Sequence, residues 1–416
     1  MGNFIAIHVL RQYNPGTFNR GEDGDAKQVY IGGVNRVRFS SQCQKRAIRE
    51  AMGCEEIRTS RIEEAINACL MNYVNDGTIS DEERDLIGNA ICSVAVLGSN
   101  SWKFLNPSEK NKESGGETDK SRVVTTTNAD EIKALVTGMI AYYKENGADA
   151  LKLDNKGKNK QLTEFAKNSA LGSVRISVAK SLFGAMATDG AIGTVDGAVE
   201  MGQAFSVDEY RPTSDFFSVK GTWRVNQTSD PFYGVFDNFR QEDEHKSASE
   251  TINMGLDLYS NLMYSYSNVN MKELERNLNT YIASNVYEEH GDTQEIMEEV
   301  IPKFVREMIL MTPEATQNRS SSHVEPCAVL IEVIKDGGNL QPDWSEVVEG
   351  SQITEQAIAR LGEFANSQKF RTGEIKQYVL FSDHYAKCAE DFKNATELSS
   401  LNELSKVMKD AVKELM

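Results

Sequence analysis

The chain has 416 residues, of which 26% are charged and 40% are hydrophobic, and its formal net charge is −17. This length is enough for one large domain or two to three ordinary ones, and the apolar content predicts a packed core. No apolar run approaches the roughly 20 residues that a membrane helix needs, and the first residues read as a strand rather than as a signal peptide. The six cysteines form no CxxC pair, which predicts mostly inert thiols and a cytoplasmic protein.

The acidity is unevenly distributed along the chain. Taken alone it argues against a nucleic-acid partner, because phosphate binding needs Lys and Arg. Carboxylates crowd residues 81–85 and 288–299, whereas residues 26–49 contain six Lys or Arg residues and no carboxylate. We therefore expect an anionic partner at residues 26–49. The alternative for the same stretch is a solvated basic face.

The first segments predict two strands and a capped helix. Residues 4–10 alternate as a strand does, residues 11–25 read as a loop, and residues 36–39 form a second strand. A helix follows, with Ser41 as its N-cap and Gln44 completing a capping box.

Residues 55–170 have helical spacing of their apolar residues and read as an insertion into a sheet-based domain. Ser80 with Glu83 is a second capping pair within this block. Residues 106–127 are polar and predict a mobile loop.

The second half of the chain returns to strands. Residues 174–178 predict a strand, residues 184–197 a Gly-rich turn, and residues 206–253 an extended excursion that carries many aromatic residues. Further strands are predicted at residues 256–266, 327–334 and 375–381, and an amphipathic helix with Leu401 on its apolar side ends the chain. The pattern predicts an α+β fold interrupted by a helical insertion and a long loop.

No motif for catalysis or for a cofactor is found. The sequence lacks GxxxxGK[ST], GxSxG and HExxH, and its five histidines are isolated from one another. We therefore expect no enzyme activity, no catalytic residue, no metal and no cofactor.

The segment of residues 36–49, a predicted strand followed by a helix, indicates an anion-binding site. Its strand places Arg36 and Arg38 on one face, and the following helix N-terminus has unpaired N–H groups and a dipole that favours an anion. Hydroxyl, amide and cationic side chains lie at the same place, which predicts a cradle for successive phosphates: Ser40, Ser41, Gln42, Lys45, Arg46 and Arg49. Plain helix capping with solvated charge is the alternative.

Phe216 and Phe217 are a second indication of nucleic-acid binding. Single-strand binding combines a cationic track with side chains that stack on bases, and these two rings are candidates for stacking. The alternative is that they pack in a local core or a subunit contact.

Several segments together resemble the CasC-type backbone subunit family of the type I-E CRISPR Cascade complex. The most specific is the N-terminal pair NFIAIHVL and GGVNRVRFSSQCQKRAIR, with Asn19-Arg20 between them. The segment from Ala185 to Thr188, residues 214–218 and residues 317–321 are similar to later family motifs, in the family's order. Ala185 departs from the family, which often has a basic residue there.

The resemblance implies a shape like a right hand. The palm would be a modified RNA-recognition-motif-like (ferredoxin-like) sheet from residues 1–54, 171–205 and 254–416. The helical fingers would be residues 55–170 and the thumb residues 206–253.

The resemblance also implies a function. Copies would stack as a helical filament along a guide CRISPR RNA, with other Cascade subunits, and would present the guide to a target DNA strand in antiviral defence. The RNA-binding residues would be Arg20, Lys27, Arg38, Ser40, Ser41, Gln42, Lys45, Arg46, Arg49, Met186, Thr188, Phe216, Phe217 and Arg319.

Two other functions remain open on the sequence. Backbone subunits of type III complexes cut RNA with a loop aspartate and a metal, and Asp23 or Asp25 lies in a comparable loop, although turn residues are the simpler interpretation. An acidic protein-interaction module without nucleic acid is the third hypothesis.

Overall fold

The structure is a computed structural model that describes residues 2–21, 24–54, 57–93, 126–127, 129–153, 159–162, 165, 177–185, 195–217, 254–284, 291–313, 323–367 and 369–416. The described strands are β1 (Gly2–Gln12), β2 (Gln28–Ile31), β3 (Val34–Phe39), β4 (Ile57–Arg58), β5 (Thr126–Thr127), β6 (Val199–Met201), β7 (Ala204–Ser206), β8 (Thr213–Phe217), β9 (Met254–Leu258), β10 (Leu262–Asn270), β11 (Ala328–Gly337), β12 (Glu374–Phe381) and β13 (Ala395–Glu397).

The helices of the same residues include two short 3₁₀ segments. The α-helices are α1 (Ser41–Ala51), α2 (Thr59–Asn75), α3 (Asp81–Ser93), α4 (Ala129–Asn146), α5 (Val178–Phe183), α6 (Met271–Ser284), α7 (Thr293–Leu310), α8 (Ile353–Asn366) and α9 (Leu401–Leu415). The 3₁₀ segments are Ala148–Leu151 and Asp383–Asp391. No helix of the described residues is long and apolar enough to cross a membrane.

A mixed sheet dominates the described chain. Its order is β13-β12-β11-β1-β10-β7-β3-β2, and β6 also pairs with β10. Every pair is antiparallel except β12 with β13. β1 lies at the centre, with β10 and β11 as its neighbours.

Both faces of the sheet are covered at its central strands. Ile5, Ile7 and Val9 of β1 point to one face, where they belong to a core shared with α1, α6, α7 and α9. Ala6 and Leu10 point to the opposite face and join a second core with α8. Because both faces of β11 are covered over residues 328–334, its residues there are apolar on both sides except for the buried Glu332, although its neighbours are antiparallel.

The helices α2, α3 and α4 have a core of their own, which includes Ile66, Leu70 and Val136. The predicted capping pair begins α3: Glu83 N donates to Ser80 Oγ over 3.3 Å, and Ser80 N donates to a Glu83 carboxylate oxygen over 2.6 Å. These two bonds confirm the local prediction for this helix.

The strands predicted at residues 4–10, 36–39, 327–334 and 375–381 are confirmed with small differences in their ends, and so is the helix that carries Leu401. Each of these segments has a regular pattern that one packed face or two packed faces explain.

Three predictions about strands and loops are wrong where the structure describes them. Val178 begins α5 rather than ending a strand, because Ser177 Oγ accepts a hydrogen bond from Lys180 N and caps the helix. The single strand at residues 256–266 is two strands, β9 and β10, which belong to different sheets. At the end of the predicted mobile loop, Thr126–Thr127 pairs with β4, while residues 106–125 lie outside the described residues.

The predicted strand is interrupted between β9 and β10 because the backbone of Tyr259 pairs with another segment. Its backbone exchanges two hydrogen bonds with Gly16, and its buried hydroxyl is hydrogen-bonded to the backbone of Phe18. These contacts turn the chain from the two-stranded β8–β9 sheet into the main sheet.

Candidate functional site

The predicted phosphate-binding segment forms a continuous junction between β3 and α1. Ser40 is the N-cap of α1, and its Oγ accepts a hydrogen bond from Cys43 N over 3.3 Å. Ser40 N donates to Asn19 Oδ1 over 2.9 Å, which ties the preceding loop to the helix start. The prediction of Ser41 as the cap is therefore wrong by one residue. The hydroxyl of Ser40 is buried and used within the protein.

The first turn of α1 retains free donors at its surface. Cys43 N and Gln44 N are bonded to Ser40, whereas the described residues provide no partner for the backbone N–H groups of Ser41 and Gln42. The side chain of Gln42 is exposed. This end of the helix carries a partial positive charge, so its surface favours an anion.

Gln44 does not complete a capping box, which corrects the sequence-based prediction. Its side chain is almost fully buried, and its Nε2 donates to Gly202 O over 3.1 Å. This bond joins α1 to the turn between β6 and β7.

The two arginines of β3 have different environments. Arg36 is buried, its guanidinium donates to Ser206 O and Ser345 O, and burial lowers its pKa. Arg38 is partly exposed, and its Nη1 donates to Gln203 Oε1 over 2.6 Å. Only Arg38 of this pair can therefore reach an outside anion without rearrangement.

The cations of α1 also differ. Lys45 is partly buried, and its Nζ donates to Val199 O over 3.1 Å. Burial lowers the pKa of Lys45, Arg49 lowers it further, and Glu200 opposes both effects. Arg46 is exposed and forms an ion pair with Glu50 at 2.7 Å, a geometry worth less than about 1 kcal/mol at a surface.

Lys27 and Arg20 complete this surface from the preceding loop. Lys27 N donates to Asn19 O, and Lys27 O accepts from Arg38 N over 2.8 Å. The side chain of Arg20 is exposed, and its backbone pairs with Ala26.

The pKa of the Cys43 thiol depends on the charge of this surface. Burial raises its pKa, while the nearby charges of Lys27 and Arg46 lower it. The positive charges of two elements therefore both act on one residue of the first helical turn.

Nine of the predicted site residues thus lie on β3, on α1 and in the loop that precedes β2, a region that we name the basic junction: Arg20, Lys27, Arg38, Ser40, Ser41, Gln42, Lys45, Arg46 and Arg49. It combines exposed guanidinium groups, hydroxyl and amide donors and free helix N–H groups, so its chemistry suits a chain of phosphates.

The residues on either side of the 185–195 segment contact the basic junction. Val199 O binds Lys45, and the guanidinium of Arg49 lies 5.8 Å from the centre of the Phe183 ring. Ala185 and Val195 exchange two backbone hydrogen bonds of 2.9 Å. Met186 and Thr188 themselves lie outside the described residues.

Two features fix the backbone of these flanking residues. Gly184 has a φ of +76°, and a Cβ there would lie 2.8 Å from Gly197 N. The buried side chain of Asn277 donates to Ser181 O over 3.2 Å and to Asp196 O over 2.8 Å.

The end of α7 is fixed beside the basic junction as well. Arg11 is buried at the end of β1, and its guanidinium donates to the carbonyl groups of Ile309 and Met311. Pro313 and Gln44 line the same small cavity next to Arg11. The predicted site residue Arg319 follows in the chain and lies outside the described residues.

Phe216 and Phe217 lie in β8, opposite Gly255 and Met254 of β9. Their backbone therefore belongs to the two-stranded sheet, and their side chains lie outside what the structure describes.

Four residues that support the site were missed in the sequence: Arg11, Asn19, Gln203 and Asn277. Asn19 had a recognisable signal, because asparagine tolerates the positive φ of +44° that it adopts in a loop. The partners of the other three are distant in sequence, so no local pattern indicates them.

The described residues contain no group of three or more His, Cys, Asp or Glu side chains that could hold a metal ion. Asp25 accepts a backbone hydrogen bond from Gly21 N over 2.7 Å, as a turn residue does. Asp23 lies outside the described residues.

Comparison with known proteins identifies the family. A family profile described as CT1975-like protein matches residues 5–222 and 221–407. The chain therefore belongs to the CT1975-like protein family. No curated protein matches it in sequence.

Solved structures share the fold. A chain of a "CRISPR RNA-guided surveillance complex, pre-nicking" is similar with a TM-score of 0.68 and 21% sequence identity, over 98% of this chain and 100% of that chain. A chain of a "CRISPR RNA-guided surveillance complex" is similar with a TM-score of 0.64 and 20% identity, over 98% of this chain and 99% of that one. The α+β architecture is thus one that occurs in such complexes.

Proposed function

We propose that this protein is a guide-RNA-binding backbone subunit of a Cascade-type CRISPR surveillance complex and has no catalytic role. Family membership and the shared fold support a subunit of this kind. The basic junction is the observation that carries the RNA-binding role, because an otherwise acidic chain collects cations and free N–H donors there.

The arrangement suits binding to the backbone of RNA rather than reading of its bases. Guanidinium groups, hydroxyl groups and helix N–H donors bind phosphate oxygens of any sequence. The guide would then be free to pair with a target DNA strand, and base pairing would supply the specificity.

In detail, we propose a CasC-type subunit as in type I-E complexes. Copies would assemble along one guide CRISPR RNA and contact other Cascade subunits. The main sheet would be the RNA-recognition-motif-like palm, residues 55–170 the fingers and residues 206–253 the thumb. Met186, Thr188, Phe216, Phe217 and Arg319 would add contacts to those of the basic junction.

The first experiment is purification together with the products of neighbouring genes, followed by the ratio of absorbance at 260 and 280 nm and sequencing of any bound RNA. We expect one uniform, repeat-derived RNA. A particle free of nucleic acid would contradict the proposal and favour an acidic protein-interaction module.

A variant then tests the basic junction directly. Arg38→Gln should weaken RNA binding about tenfold, because a charged hydrogen bond to phosphate is lost. Arg306→Gln is the matched control, since Arg306 is an exposed arginine of α7. Equal affinities of the two variants over a salt titration would contradict a role for the basic junction. Lys45→Glu is less suitable, because it would also break the bond to Val199 O.

A further inference from the structure

We propose that Gln203 is a positioning residue of the RNA site, whose side-chain amide orients Arg38 and the hydroxyl of Ser41 toward the same stretch of phosphate backbone. This inference rests on the proposed function and adds to it a residue from a distant part of the chain.

Gln203 joins the strand side of the basic junction to its helix side. Its Oε1 accepts from Arg38 Nη1 over 2.6 Å, and its Nε2 donates to Ser41 Oγ over 3.3 Å. Because a guanidinium group only donates, the amide oxygen must face Arg38, and the amide nitrogen is then the end that faces Ser41.

The orientation of the amide determines what Ser41 can do. Since Ser41 Oγ accepts from Gln203, its own proton points to a different acceptor. In the structure that acceptor is Gln42 Oε1, at 3.3 Å. A phosphate oxygen at the same surface could take this proton instead. Gln203 thus makes the Ser41 hydroxyl a donor toward the ligand.

The turn that carries Gln203 is fixed on two sides. Gly202 N donates to Tyr266 O over 3.0 Å, and Gly202 O accepts from Gln44 Nε2 over 3.1 Å. Gln44 is almost fully buried in α1. The turn before Gln203 is therefore held by the main sheet and by α1. Because this backbone is fixed, the amide of Gln203 can hold Arg38 in place before any ligand binds.

A neutral partner suits this task better than a carboxylate. The amide engages one of the five N–H donors of Arg38 and leaves its full charge for phosphate. A glutamate in the same place would form an ion pair with Arg38 and compete with the ligand.

The test compares Gln203→Glu and Gln203→Leu in binding of a short single-stranded RNA by the full chain. We expect Gln203→Glu to weaken binding about tenfold and to reduce the slope of log affinity against log salt by about 0.7, the value for one phosphate contact on a single strand. Gln203→Leu should weaken binding about threefold with an unchanged slope, since Arg38 keeps its charge and loses only its orientation.

Two further measurements separate positioning from a general structural effect. In an Arg38→Gln background, Gln203→Glu should have a clearly smaller effect on affinity, because the contribution through Arg38 is already lost and only the one through Ser41 remains. Gln352→Glu is the matched control, an exposed glutamine before α8 that gives the same change of charge. Equal melting temperatures would show that the variants are folded.

The failure of this inference differs from the failure of the proposed function. If Arg38→Gln weakens binding while Gln203→Glu leaves both affinity and salt slope unchanged, RNA binding stands and Gln203 has no positioning role. Equal losses from Gln203→Glu with and without Arg38 would also overturn the inference. If the unmodified chain binds no RNA, the proposed function fails first and the inference fails with it.

Discussion

Replacing Arg371 by methionine should lower the free energy of unfolding by about 3–5 kcal/mol, since it leaves a buried charge without its ion partner. Arg371 donates to a carboxylate oxygen of Glu332, and the two side chains are 4% and 1% exposed. Gln377 Nε2 donates to the same oxygen over 2.8 Å. His8 Nε2 lies 3.5 Å from the other carboxylate oxygen, which is long for a hydrogen bond.

The pKa of Glu332 also shows that its surroundings favour the ionised carboxylate. Burial alone would raise this pKa, but the neighbouring side chains of His8 and Arg371 outweigh burial and lower the pKa to about 2. An unfolded glutamate has a pKa of about 4.3, so the native contacts stabilise the ionised form by about 3 kcal/mol at neutral pH.

The sign of the pH dependence follows from this lowered pKa. The stabilisation is fully present above the unfolded pKa of about 4.3 and is lost as the pH falls toward 2. A Glu332→Gln variant should lack this part of the acid dependence.

Urea unfolding followed by tryptophan fluorescence is the assay, in a Trp102→Phe/Trp223→Phe background that leaves the buried Trp344 as the probe. The double variant Glu332→Gln/Arg371→Met should recover part of the loss, because it buries no unpaired charge. Arg306→Met is the control, with an expected loss within about 0.5 kcal/mol for an exposed arginine. If Arg371→Met loses no more than this control, the argument from the buried ion pair is refuted.

Three further predictions concern the supports of the candidate site, each measured as a free energy of unfolding. Gly184→Ala should cost about 3 kcal/mol or more, against about 1–2 kcal/mol for Gly77→Ala. Both glycines have a positive φ, but of the two only Gly184 has backbone atoms in the space that a Cβ would fill. Equal losses would contradict the steric argument. Ser40→Ala should cost about 1 kcal/mol through loss of the helix cap, whereas Ser41→Ala should change stability by less than about 0.5 kcal/mol and weaken RNA binding instead; the reverse pattern would restore Ser41 as the cap. Asn277→Leu should cost about 2 kcal/mol, since the buried carbonyl of Ser181 and the part-buried carbonyl of Asp196 lose a donor, and no loss would mean that they find other partners.

Features that depend on neighbouring residues could be predicted from the sequence. The alternation in β1, the two-sided apolar run of β11 and the pair of Ser80 with Glu83 are local patterns, and each appears in the structure as the pattern requires. The acid-free stretch of residues 26–49 is local as well, and most of its cations share the basic junction.

Features that depend on distant partners could not be predicted from the sequence and are visible in the folded chain. The pattern of Ser41 with Gln44 predicted the cap one residue too late, and the bond from Ser40 N to Asn19 coincides with the choice of Ser40. Val178 follows strand-like residues, but the cap at Ser177 begins a helix there. Gln203 meets Arg38 across 165 residues of sequence. No periodicity or motif relates residues so far apart, because the sheet order that joins them arises only when the cores on its two faces form.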